Sequence, residues 1–260
     1  MPNIFTAPKW GLLINPIDNL FQDFAQTAQS PDFYIWRRSA GLVTTHHIFA
    51  SGHFEWAKTI HELADRAVAL KAVFDGAMFV EFGGLYIPPA FRSLINNADE
   101  RSYELPEGSV LASPFAQLTL SSAVPRHFTP MSCFGPKQMV FLARYDDVAL
   151  GILKYLGFNG PDYRTLYSLL DWLKLHGWNH ANIAAAADVP SSEITRFTRT
   201  ANNVEVLGPL ARHGGKNWEP PTQPTTLKEA QHLVLSAVRA FLIERASLVD
   251  LPRRWAFLSS

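Results

Sequence analysis

Arg196, Arg199, Arg212, His213 and Lys216 all fall between positions 196 and 216, with Glu205 the only acid among them. Asn202 and Asn203 add amide donors and acceptors to the same stretch. A guanidinium grips phosphate through a planar fork, and an imidazole moves protons near neutral pH. Held together, Arg199, Asn202, Arg212 and His213 would supply what metal-free RNA cleavage requires. His213 would carry the proton, and Arg199 and Arg212 would face the pentavalent phosphorane. A second reading needs no chemistry. Arg199 and Asn202 then cap a helix and tie down the loop behind it, while Arg212 and His213 do likewise or stay solvated.

Either reading depends on the elements around the cluster. Pro190-Ser191-Ser192-Glu193 starts a helix that buries Ile194 and Phe197 and ends in the polar run TRTANN. Gly208-Pro209 and Gly214-Gly215 force turns in the loop that follows. Thr226-x-x-Glu229 is a capping box, in which hydroxyl and carboxylate satisfy the orphan N–H groups of a new helix. That helix is buried along Leu227, Ala230, Val234, Ala237 and Phe241.

An RTAN-type helix end, an ARHG loop and P-x-x-P-[ST]-x-L-x-E-A opening an amphipathic helix resemble the C-terminal region of HEPN-like bacterial proteins. The likeness covers residues 145–245. It implies a helical bundle, often dimeric, in a defence or toxin–antitoxin setting. Catalytic members of that family cleave RNA with R-x(4–6)-H on one helix. This chain contains no such spacing: Arg199 precedes His213 by fourteen positions, and Arg212 adjoins it. Catalysis would require the loop to fold back so that Arg199 and His213 converge.

Other chemistry has less support. His46 and His47 are neighbours on an expected strand and point to opposite faces, so they do not share one ion. His53 and His61 have no partner at ligand spacing, and Gly177 interrupts the helix between His176 and His180. Glycine-rich phosphate loops and a nucleophile elbow are absent, and Cys133 is the single cysteine. No metal and no cofactor is expected. Asp146-Asp147 and Asp171 read as solvated faces or cap charges. Trp36-Arg37-Arg38 has the composition of a stacking platform for single-stranded nucleic acid, or of a buried tryptophan beside edge arginines.

The 260 residues balance 23 Lys+Arg against 23 Asp+Glu, so no global field draws the chain to nucleic acid or to an anionic membrane. Neither a signal peptide nor a membrane span is expected, and the expected location is the cytoplasm. The 18 Phe and 7 Trp provide core, with some surplus for an interface.

The fold class expected is α+β: residues 1–135 with a small mixed or antiparallel sheet of about five strands and one or two helices, and residues 136–260 a helical bundle. Helices are expected near 17–30, 54–75, 138–160, 162–177 and 180–187. Two strands around Ala40-Gly41, strands at MFVEF and LYIP, a polar loop over 92–110 and a strand over 110–122 complete the reading, with Pro252 ending regular structure. Three functions fit. The first is an interaction protein whose C-terminal helices pair with a protein partner or a second copy. The second is a HEPN-like, metal-independent ribonuclease with RNA as partner, and the third a small-ligand binder.

Overall fold

The computed structural model describes residues 9–15, 19–27, 30, 32–40, 44–96, 101–116, 133–212 and 219–259. Its five strands are β1 (Trp10–Asn15), β2 (Tyr34–Ala40), β3 (Thr44–Ala50), β4 (Ala90–Asn96) and β5 (Arg101–Glu104). They form one antiparallel sheet in the order β2-β3-β1-β4-β5. Ten α-helices lie among the described residues: α1 (Asn19–Thr27), α2 (Ile60–Phe82), α3 (Pro136–Ala143), α4 (Asp147–Asn159), α5 (Tyr163–Leu175), α6 (His180–Ala187), α7 (Ser191–Ala201), α8 (Val204–Leu207), α9 (Leu227–Leu248) and α10 (Leu251–Ser259). The architecture is α+β, with the sheet built from the first half of the chain and the helices concentrated in the second.

Alternation along the central strands turns Leu12, Ile14, Phe49 and Leu94 inward, where they are fully buried. An aromatic cluster joins that face to α2. Phe33 stacks on Phe49 at 5.6 Å, and Phe74 of α2 meets Phe21, Phe33 and Phe49 at 5.1–6.2 Å. From α2 the same apolar cluster runs through α3, α4, α5, α6, α7 and α9 to Trp255 of α10, which meets Phe141 edge-on at 5.1 Å.

The tightest helix pair is α2 with α4. A β-carbon on Gly76 would overlap the carbonyl of Leu153, and one on Gly157 the carbonyl of Ala72. Glycine at these two places lets the backbones touch.

Several elements differ from the sequence reading. Asp75-Gly76 does not stop α2, which continues through the MFVEF segment read as a strand. Gly76 faces α4, and the buried Asp75 accepts from Tyr86 Oη at 2.6 Å and pairs with Lys71, so neither residue breaks the helix. The helix ends at Gly83, whose φ of +58° suits only glycine. LYIP forms a 3-10 turn and extended chain rather than a strand. The polar stretch after residue 90 holds β4 and β5, and β5 is largely exposed, which hides its alternation.

The helix expected over 138–160 is two, α3 and α4. Asp146 breaks them by accepting from Ala149 N at 2.8 Å as the N-cap of α4, and Arg245 of α9 holds its other oxygen at 2.7 Å. Of the strand expected over 110–122, residues 110–116 are turns and coil, and 117–122 lie outside the described residues. Pro252 stands in the first turn of α10, where its missing N–H costs nothing.

Candidate functional site

The 188–244 stretch folds as a helix, a return and a second helix. Helix α7 begins at Pro190, carries Glu193 in its first turn and buries Ile194, Phe197 and Ala201. Its end is tied by its own side chains. Thr200 Oγ1 donates to Arg196 O at 2.9 Å and Asn202 Nδ2 to Thr198 O at 2.9 Å. Asn203 Oδ1 then accepts from Glu205 N and Val206 N at 2.9 and 3.1 Å, which starts α8. Past Gly208-Pro209 the chain turns back, and Arg212 N donates to Ala201 O at 2.9 Å. Arg164 of α5 clamps the returning segment by donating to the carbonyls of Pro209, Leu210 and Ala211.

The predicted site residues are thus placed as follows. Arg212 joins the end of α7, but its guanidinium pairs with Asp171 Oδ2 at 3.2 Å and lies 4.2 Å over the Tyr167 ring. Arg199 is exposed, whereas Asn202 is 5 % exposed and its Oδ1 finds no donor among the described residues. His213 and Lys216 lie outside the described residues. Arg196 is held by Glu193 and by Glu229, and the hydrogen bond it donates to Glu193 pushes its guanidinium pKa up. Glu229 is held below its ordinary range by the N–H and hydroxyl of Thr226 and then by Arg196. Three arginines of this region (Arg164, Arg196 and Arg212) are engaged in holding the fold.

Among the described residues no three His, Cys, Asp or Glu side chains come together to hold a metal ion. His47 is buried on β3, His61 is exposed, and His176 lies against Trp172 and Phe241. Trp36, Arg37 and Arg38 lie on β2. No helix of the described residues is long and apolar enough to cross a membrane.

The second feature lies on the α4–α5 hairpin. A groove of about 410 Å³ runs between the two helices, with Gly151 and Ser168 as its small residues, Ile152 and Leu169 apolar, and Tyr155 and Trp172 large. Tyr155 is 40 % and Trp172 41 % exposed. One helical turn further along each helix, Phe158 is 64 % and Leu175 74 % exposed. A Cβ on Gly151 would come within 3.7 Å of Trp172 Cζ2, so the glycine leaves the indole one open side. A more polar groove of about 570 Å³ separates the end of α2 from α9, lined by Glu81, Lys228, His232 and Arg239 among others.

Sequence reasoning missed a third feature, a buried polar cluster of Asp32, His53 and Arg144. His53 Nε2 lies 2.9 Å from Asp32 Oδ1, with Arg144 Nη1 at 3.4 Å. The three come from separate elements with no fixed spacing, so only a polar residue amid aromatic ones hinted at it.

No family model, curated protein or solved structure matches this chain.

Proposed function

We propose that this chain is an interaction protein that works by docking rather than catalysis, and that its partner at the α4–α5 face is a second copy of itself. The observation that carries the reading is the groove between Tyr155 and Trp172. An antiparallel helix pair with small residues in its groove and apolar knobs at both ends is shaped to take helices. Two such hairpins face to face close a four-helix layer.

The area is of the right order. Large apolar side chains bury about 150–250 Å² each when covered. At the exposures of Tyr155, Phe158, Trp172 and Leu175, one copy offers roughly 400 Å² of apolar surface and a pair about 800 Å². That is the apolar share of a standard interface of about 1,200–2,000 Å². Hydroxyl-radical footprinting against protein concentration tests it. Tyr155 and Trp172 should become protected as the protein is concentrated, while the exposed Trp56 should not.

A second reading, metal-independent RNA cleavage with Arg199, Asn202, Arg212 and His213, is favoured by one observation. The return of the chain brings Arg212 N onto Ala201 O, so the residue before His213 abuts the end of α7. Cleavage of end-labelled RNA in EDTA, lost in His213→Ala with the fold intact, would support it. Cleavage equal in wild type and variant, or none, would reject it.

A further inference from the structure

Residues 108–116 cross the molecule as turns and coil. They lie close on α2: a Cβ on Gly108 would stand 2.6 Å from Ala64 O and 2.8 Å from Val68 Cγ2. Three polar ties hold this segment. Ser109 N donates to Asp65 Oδ1 at 2.8 Å, and Lys154 Nζ to Ala112 O at 2.9 Å. The third tie is buried, where Ala116 N donates to His53 Nδ1 at 3.0 Å while Phe115 packs edge-on to the imidazole at 5.2 Å.

The third tie fixes the protonation of His53. A backbone N–H only donates, so Nδ1 must accept, and the ring proton sits on Nε2 facing Asp32 Oδ1. Asp32 and His53 are both fully buried. Among the described residues the charged groups that meet this histidine come from three sides. Asp32 precedes β2, Arg144 follows α3, and Arg66 on α2 donates to His53 O at 2.8 Å. The segment above contributes Phe115 and the Ala116 N–H and no charge. Asp32 and Arg144 balance each other, and Asp32 Oδ2 has no partner among the described residues. A second ring proton would go on Nδ1. It would set two N–H donors against each other and leave a buried cluster with an uncompensated positive charge.

We infer that residues 108–116 are a strap latched by neutral His53, and that protonation of His53 releases the strap and opens the Asp32–His53–Arg144 cluster to solvent. The inference is independent of how the α4–α5 face is used.

The test is ¹⁵N NMR of the whole chain from pH 8 downward, following the His53 ring nitrogens and amide exchange together. At high pH His53 should show the Nε2–H tautomer with the Ala116 amide protected. As the ring protonates, amides from Ser109 to Ala116 should lose at least about tenfold in protection at the same midpoint, while Leu153 and Val238 in the helical core keep theirs. In Ala116→Pro, which lacks the donor, the strap amides should be unprotected at every pH. Two results would overturn the inference. In one, the strap amides hold their protection to within about threefold while the ring protonates. In the other, His53 stays neutral until Leu153 and Val238 also exchange.

Discussion

Arg212 donates its backbone N–H to the carbonyl of Ala201 at 2.9 Å, closing the excursion that begins at Asn202 onto the end of α7. The same residue stacks on Tyr167 and pairs with Asp171, both on α5. Arg212→Ala should therefore cost stability whatever its role in binding. Stacking at a partly exposed site contributes about 0.5–1 kcal/mol and a solvated pair about 0–1 kcal/mol, so a loss of about 1 kcal/mol is expected in urea unfolding. Arg212→Lys should recover less than half of that loss, because an ammonium neither stacks nor forks.

Gly157→Ala should be severe. Its methyl group would overlap the Ala72 carbonyl, and two packed backbones cannot separate without opening the core. A loss of about 3 kcal/mol or more is expected, read as a fall in the denaturant midpoint.

Gly151→Ala is the counterpart on the same helix. Its methyl meets Trp172 at an ordinary 3.7 Å, so α4 should gain about 0.5–1 kcal/mol from the change in helix propensity. It also fills the groove, so the same variant should self-associate less. Greater thermal stability together with a smaller solution mass is the signature to look for.

Tyr86→Phe removes the hydroxyl that donates to Asp75 Oδ1 inside the protein. Leaving that oxygen unsatisfied should cost about 1–3 kcal/mol at neutral pH. Burial already raises the Asp75 pKa above its ordinary value of 3.8, opposed by Lys71 and by Tyr86. Losing the hydroxyl raises it further. A carboxyl whose folded pKa is raised weakens the fold above that pKa and is relieved as pH falls toward 3.8. The deficit of Tyr86→Phe should therefore shrink on acidification.

Glu229 has the opposite sign. Its pKa is lowered by Thr226 and Arg196, so its contribution is present above the ordinary value of 4.5 and is lost as pH falls through the lowered one. Glu229→Gln should unfold with a flatter acid limb than wild type. Thr226→Ala should cost about 1 kcal/mol at neutral pH through the lost cap.

What the sequence made legible follows from how local each signal is. Asp162, Pro190 and the Thr226–Glu229 box act within one helical turn, so α5, α7 and α9 begin where their caps stand. Strand β1, six residues long and central in the sheet, was too short to separate from the helix that follows it. The length of α2 was hidden because Gly76 looks like a stop until α4 is placed against it. The loop return at Arg212 was stated as a requirement, but the partners that occupy its guanidinium lie on α5, some forty residues earlier. Helical spacing on α4 and α5 marks apolar positions but not a groove between them. Which of them stay exposed depends on the packing of α2 and α9.

The most direct measurement is solution mass by light scattering across a range of protein concentrations, for wild type and for Tyr155→Glu combined with Trp172→Glu. Self-association through the α4–α5 face predicts that the wild type approaches twice its chain mass of 29.1 kDa while the double variant, still folded, stays at one chain mass. A wild type that remains at one chain mass throughout, or a double variant that associates equally well, would contradict it.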